Sequence, residues 1–172
     1  MMVKFERTMK SFIPAFEAEI ANAKNEIQDI STNAATPTFE NTVEAMTYTG
    51  MQLERISSIF FNLHSAETND EIEQIAQDIT PKLTEYSNDI TLNPQLFERI
   101  KVVYDQRSEL TLTPEQQMLL ETTYKSFARN GALLDETAKA KLRELDNELA
   151  VLKLQFGKNI LDDQNAYRLH IT

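Results

Sequence analysis

His64 and His170 are the two imidazoles of a 172-residue chain that contains no cysteine. His64 lies in SSIFFNLHSAETNDE, residues 57–71, with Asn62, Ser65 and Glu67 as close neighbours. An imidazole among serines and carboxylates is the material of a nucleophilic triad or of a zinc site. A triad needs His64 beside Ser57, Ser58 or Ser65, yet no glycine-flanked nucleophile elbow surrounds any of them. A zinc site needs three or four ligands, usually at short spacing; no His-Glu-x-x-His occurs, and His64 and His170 are remote in sequence. His64 therefore reads as a helix-end residue whose ring packs apolarly while one nitrogen meets solvent or a carbonyl.

The acidic runs ETNDEIE (67–73) and LDD (161–163) could supply general acid–base pairs only if buried with separated pKa values. At a helix start, as for Glu67 to Glu71, acids instead complement the helix dipole on a wet surface. No glycine-rich phosphate loop is present. The aromatic residues follow helical stripes, as core residues do, rather than forming a base-stacking platform. No catalytic, cofactor-binding or metal-ligating residue is assigned.

The elements that would position any site are helical. Three glycines and five prolines, with many Ala, Leu, Glu, Lys and Gln, favour long helices over turn-rich sheets. The hydrophobic share of 41% and charged share of 26% are those of a globular domain with a real core. A net charge of −10 disfavours nucleic acid and anionic membrane surfaces as partners. No apolar run approaches the roughly 18–20 residues that span a bilayer. The opening MMVKFERTMK has no apolar stretch after its basic residue and does not read as a signal peptide. The lack of cysteine fits a cytoplasmic protein.

Hydrophobic periodicity predicts an all-α, antiparallel bundle of about six helices. The first, 12–31, carries Phe12, Phe16, Ile20, Ala23, Ile27 and Ile30 on one stripe, with Pro14 tolerated in its opening turn. The second, 39–65, carries Val43, Met46, Gly50, Leu53, Ile56, Phe60 and Leu63, with Gly50 at a close helix crossing. Ile59, Phe60 and Leu63 end its buried face. Thr68 and Glu71 form a capping box for the third, 69–91, which Pro81 kinks or splits. Asn93-Pro94 and Thr113-Pro114 open helices at 94–107 and 114–129, and Gly131 stops the latter. The last helix, 135–163, carries Ala138, Leu142, Leu145, Leu149, Leu152, Phe156 and Ile160, a seam for packing against neighbours.

Tyr167, Leu169 and Ile171 then alternate with polar residues, a strand-like segment over 166–171 that lacks a partner. The chain is expected to be one helical domain, 1–172, with 166–172 as the start of a further element and hence a piece of something longer. No internal repeat or low-complexity segment is found.

Several strings are specific in a way that periodicity is not. FIPAFEAEI (12–20), TPTFENTVEAM (36–46), SSIFFNLHSAETNDE (57–71) and LNPQLFERIKVVYD (92–105) resemble the N-terminal region of the thimet-oligopeptidase family. Residues 119–163 resemble its next segment more closely still. Within the family the likeness is greatest to the bacterial dipeptidyl carboxypeptidases (peptidyl-dipeptidases), with oligopeptidase A as neighbour. The first ten residues do not resemble the usual lead-in.

The resemblance implies a zinc metallopeptidase that cleaves short peptides in a deep channel between two largely helical halves, releasing dipeptides from free C-termini. It implies that this chain supplies helices of the N-terminal half, one wall of the channel. The family's His-Glu-x-x-His helix, third glutamate ligand and substrate-orienting tyrosines and histidine lie further on, so none is carried onto this sequence. Zinc is thus a cofactor of the parent enzyme and not of this chain. The implied partners are the remainder of the peptidase and, in the full-length enzyme, short peptides; self-association of the fragment through its first or last helix is a further expectation. The competing reading is a stand-alone helical interaction module.

Overall fold

The computed structural model describes residues 11–168. They form a helical bundle with no strand among them. Its elements are α1 (Phe12–Ser31), a π-helical turn π1 (Phe39–Glu44), α2 (Met51–Ala66), α3 (Asp70–Thr91), α4 (Pro94–Asp105), α5 (Pro114–Arg129) and α6 (Glu136–Ala166).

Helix α1 is the hub, packing on π1, α2, α3 and α4. All six residues of its predicted stripe are buried. Phe12, Phe16, Ile20 and Ala23 join Leu53 and Phe60 of α2 and Ile72, Ile75, Ala76 and Ile79 of α3 in the largest core cluster. Phe60 meets Phe16 edge-on, at 5.6 Å between ring centroids. One turn further along, Ile27 and Ile30 pack with Leu96, Phe97 and Ile100 of α4 and with Phe127 of α5. A third cluster joins Phe39 and Val43 of π1 to Val103 and Leu120.

The predicted single helix over 39–65 is two elements. Thr38 opens π1 with a capping box: its hydroxyl accepts from the Asn41 N–H, and the Asn41 side chain accepts from the Thr38 N–H. After π1 the backbone N–H groups of Thr47, Tyr48 and Thr49 bond three residues back, and the Thr47 and Thr49 hydroxyls reach the same carbonyls as their own amides. Gly50 then takes φ +69°, a left-handed conformation that no helix interior accommodates and that glycine adopts without steric cost. It is the N-cap of α2, not a mid-helix crossing, and its N–H donates to the Glu26 carboxylate at 2.7 Å. The close approach anticipated there is nevertheless real: a Cβ on Gly50 would stand 3.0 Å from the Tyr86 hydroxyl.

Other expectations shift. Asn69, not Thr68, caps α3, accepting from the Ile72 N–H at 3.0 Å. Ile72 in the third position has no side-chain acceptor with which to reciprocate, so no capping box forms. Helix α3 runs unbroken through Pro81, so of the two expected outcomes the split does not occur. Ile59 is exposed and belongs to no buried face. Asn93 and Thr113 cap α4 and α5 as predicted. Gly131 ends α5 at φ +103°, and the Ala132 N–H bonds back to the Phe127 carbonyl in a Schellman closure. Helix α4 stops at Asp105, short of 107, and α6 runs to Ala166, past 163. Ala166 of the strand-like 166–171 is thus helical, Tyr167 and Arg168 are irregular, and 169–172 lie outside the described residues.

Candidate functional site

His64 stands in the last turn of α2 with its ring against Phe60 and Phe61. Its Nε2 lies 2.9 Å from Oε2 of Glu73, so the partner is a carboxylate rather than solvent or a carbonyl. Glu73 belongs to the first turn of α3 and also accepts from the Gln77 amide. The pair ties the end of one helix to the start of the next. A carboxylate–imidazole pair could orient a nucleophile, but no described serine or threonine hydroxyl bonds to it. The side chain of Asn62 turns back to the Ser58 carbonyl, and Glu67 is the C-cap of α2. His170 lies outside the described residues. Among the described residues no three or more His, Asp or Glu side chains are grouped to hold a metal ion. In the LDD run, Asp162 pairs with Lys158 of the preceding turn.

Sequence reasoning passed over two polar clusters. Arg99 of α4 is buried and donates to the Asn33 carbonyl at 2.6 Å, the Ala35 carbonyl at 3.1 Å, Asn41 Oδ1 at 2.9 Å and Thr42 Oγ1 at 3.3 Å. It binds the irregular 32–38 connection to π1, and burial lowers its pKa below the usual arginine value. Asp89 of α3 receives Lys24 of α1 at 2.7 Å and Arg143 of α6 at 2.8 Å. Burial pushes the Asp89 carboxyl up, but the hydrogen bonds and charges of Lys24 and Arg143 outweigh it and hold the pKa below its usual value. The signal for the first was an arginine at an otherwise apolar position of the α4 stripe, between Leu96 and Ile100. Nothing local signalled the second.

An open groove of about 1080 Å³ runs between α3, the α5–α6 turn and α6, lined by Leu83, Asn88, Leu134, Leu142 and Leu149 among others. Beside it lies the largest departure from expectation. Of the predicted α6 seam, Leu145, Leu149, Leu152, Phe156 and Ile160 are 49, 50, 56, 67 and 44% exposed. Helix α6 rests chiefly on α3 through the opposite side, where Leu154 packs on the core and Lys139 is buried. The described residues thus present a bare apolar helix face rather than a chemical centre.

The chain is homologous to the N-terminal part of peptidases of the thimet oligopeptidase family. Dipeptidyl carboxypeptidase of Escherichia coli K12 is 37% identical over 148 residues, which are 86% of this chain and 22% of the relative. Oligopeptidase A of Salmonella typhimurium is 22% identical over 93% of this chain and 24% of its own length. A thimet-like oligopeptidase of Dictyostelium discoideum is 27% identical over 74% of the chain and 19% of the relative. The chain therefore spans about a fifth to a quarter of the length of the curated relatives it matches. No family model matches it.

Proposed function

We propose that this chain is the non-catalytic N-terminal helical part of a zinc-dependent peptidyl-dipeptidase or oligopeptidase, and that its helices form one wall of the substrate channel. The whole enzyme hydrolyses short peptides, releases C-terminal dipeptides and works in the cytoplasm. The remainder of the peptidase is this part's partner and supplies the zinc ligands. The observation that carries the reading is a 37% identical match covering 86% of this chain but 22% of a dipeptidyl carboxypeptidase. The catalytic steps belong to the remainder of the enzyme, and none is placed on residues of this chain.

The test replaces the matched region of the Escherichia coli relative with this chain. Chelator-sensitive release of dipeptides by that chimera, and none by the 172-residue chain supplied with zinc, is the expected result. Zinc-dependent release by the chain alone would overturn the non-catalytic assignment. A folded but inactive chimera would overturn its place in a peptidase. The exposed α6 face also suits a stand-alone interaction module, for which a folded, inactive chimera is the expected outcome.

A further inference from the structure

The spacing of the bare α6 residues specifies what covers them. Leu145, Leu149, Leu152 and Phe156 are separated by four, three and four residues, the a/d repeat that receives a second helix knobs-into-holes. In the same frame Asn147 and Leu154 hold the outermost position, diametrically across the helix, and these are the side chains turned toward the bundle. Helix α6 thus carries two faces, one seated on α3 and one left open to water, with Leu149 at the lip of the groove. Lys141 and Glu148 border the bare stripe on one side, Asp146 and Lys153 on the other. Both flanks carry both signs, so neither a phosphate backbone nor an anionic lipid surface is matched.

From these residues we infer that the outward face of α6 is the seat of an amphipathic α-helix contributed by the remainder of the peptidase. The inference rests on the reading above and names the surface and the type of element it takes. The match to Salmonella oligopeptidase A includes 160 of the 172 residues, leaving at most twelve outside it, so the stripe lies within the shared region. In that relative about three-quarters of the length lies beyond the match. A covalently attached helix competes at high effective concentration and prevails over a second copy.

The experiment introduces Leu149→Glu, Leu152→Glu and Phe156→Glu together, both into the 172-residue chain and into the chimera. The chain alone should keep its melting temperature within about 2 °C, because each of these side chains is already at least half exposed. The chimera should lose about 5 °C or more and at least about tenfold in dipeptide release. The Leu149→Met, Leu152→Met, Phe156→Met version should retain both. As a second measurement, the chain should bind the relative lacking its matched region, by sedimentation, and the glutamate version should not. Equal tolerance in the chimera, or binding that the glutamates do not weaken, overturns the inference. So does a stable dimer of the chain that the glutamates dissociate, which gives the face to a second copy. An unsubstituted chimera that is folded but inactive refutes the peptidase reading, while its melting temperature still reports on the α6 face.

Discussion

Helices α1 and α6 both carry apolar stripes and meet opposite fates. In α1 every stripe residue is buried, because π1, α2, α3 and α4 surround it. In α6 the stripe from Leu145 to Ile160 faces outward while Leu154, Ala150 and Arg143 turn toward the bundle. Periodicity establishes that a helix has an apolar side; which neighbour covers that side is decided by residues far away in sequence. The α6 stripe has no such cover among the described residues.

Two phenylalanines put this contrast to the sharpest test. Phe16→Ala removes a fully buried ring from the largest cluster and should cost about 3–5 kcal/mol, read by urea unfolding of the chain. A cost below about 1 kcal/mol would deny α1 its place as hub. Arg99→Met comes next. It strips the donor from two carbonyls and two side-chain oxygens, and a loss of about 3 kcal/mol is expected. Faster hydrogen exchange should accompany it over residues 32–44; unchanged exchange there would refute the clamp.

Asp89→Asn should cost about 1 kcal/mol or less near neutral pH, since the network is partly exposed. Its pH dependence carries the sign. The folded carboxyl titrates below its usual value of 3.8, so its contribution is complete above that value and is lost as pH falls through the lowered one. The wild-type advantage over Asp89→Asn should therefore shrink in acid; an advantage that grows there would contradict the assigned ion pairs. The smallest effect belongs to Phe156→Ala, within about 0.5 kcal/mol in the isolated chain. A loss near that of Phe16→Ala would show that α6 is covered after all.

Much of the fold was legible because its signals are local. Asn93-Pro94 and Thr113-Pro114 mark helix starts whose caps form within three residues, and Gly131 marks a stop. The α1 stripe needed only its own spacing. Gly50 was misread because a glycine in a helical pattern serves equally as a crossing point or a break. The preference for a break came from Glu26, twenty-four residues earlier, which accepts the Gly50 N–H. The Thr68 box failed for a smaller reason: Asn69, one residue later, is an equally good cap and places Ile72 correctly in the core. Asp89 was invisible because Lys24 and Arg143 lie on other helices, and although Arg99 stood out on an apolar stripe, its partners in the 32–38 connection and π1 are far away in sequence. His64 stood out for its polar neighbours; its apolar ring packing was read correctly, yet its carboxylate partner arises only when α2 and α3 fold together.

The order in which the helices pair has a consequence for synthesis. Helix α1 packs on α2, α2 on α3 and α4 on α5, each pair consecutive or nearly so along the chain. Such local closure makes for quick folding, and ribosomes emit only about 5–20 residues each second. The main cluster draws its buried residues from no further than Ile79, so its interior is available early in translation. Helix α6 is the last of the described helices to emerge, leaning on α3, so its apolar stripe reaches water only after the main cluster has its full set of buried residues.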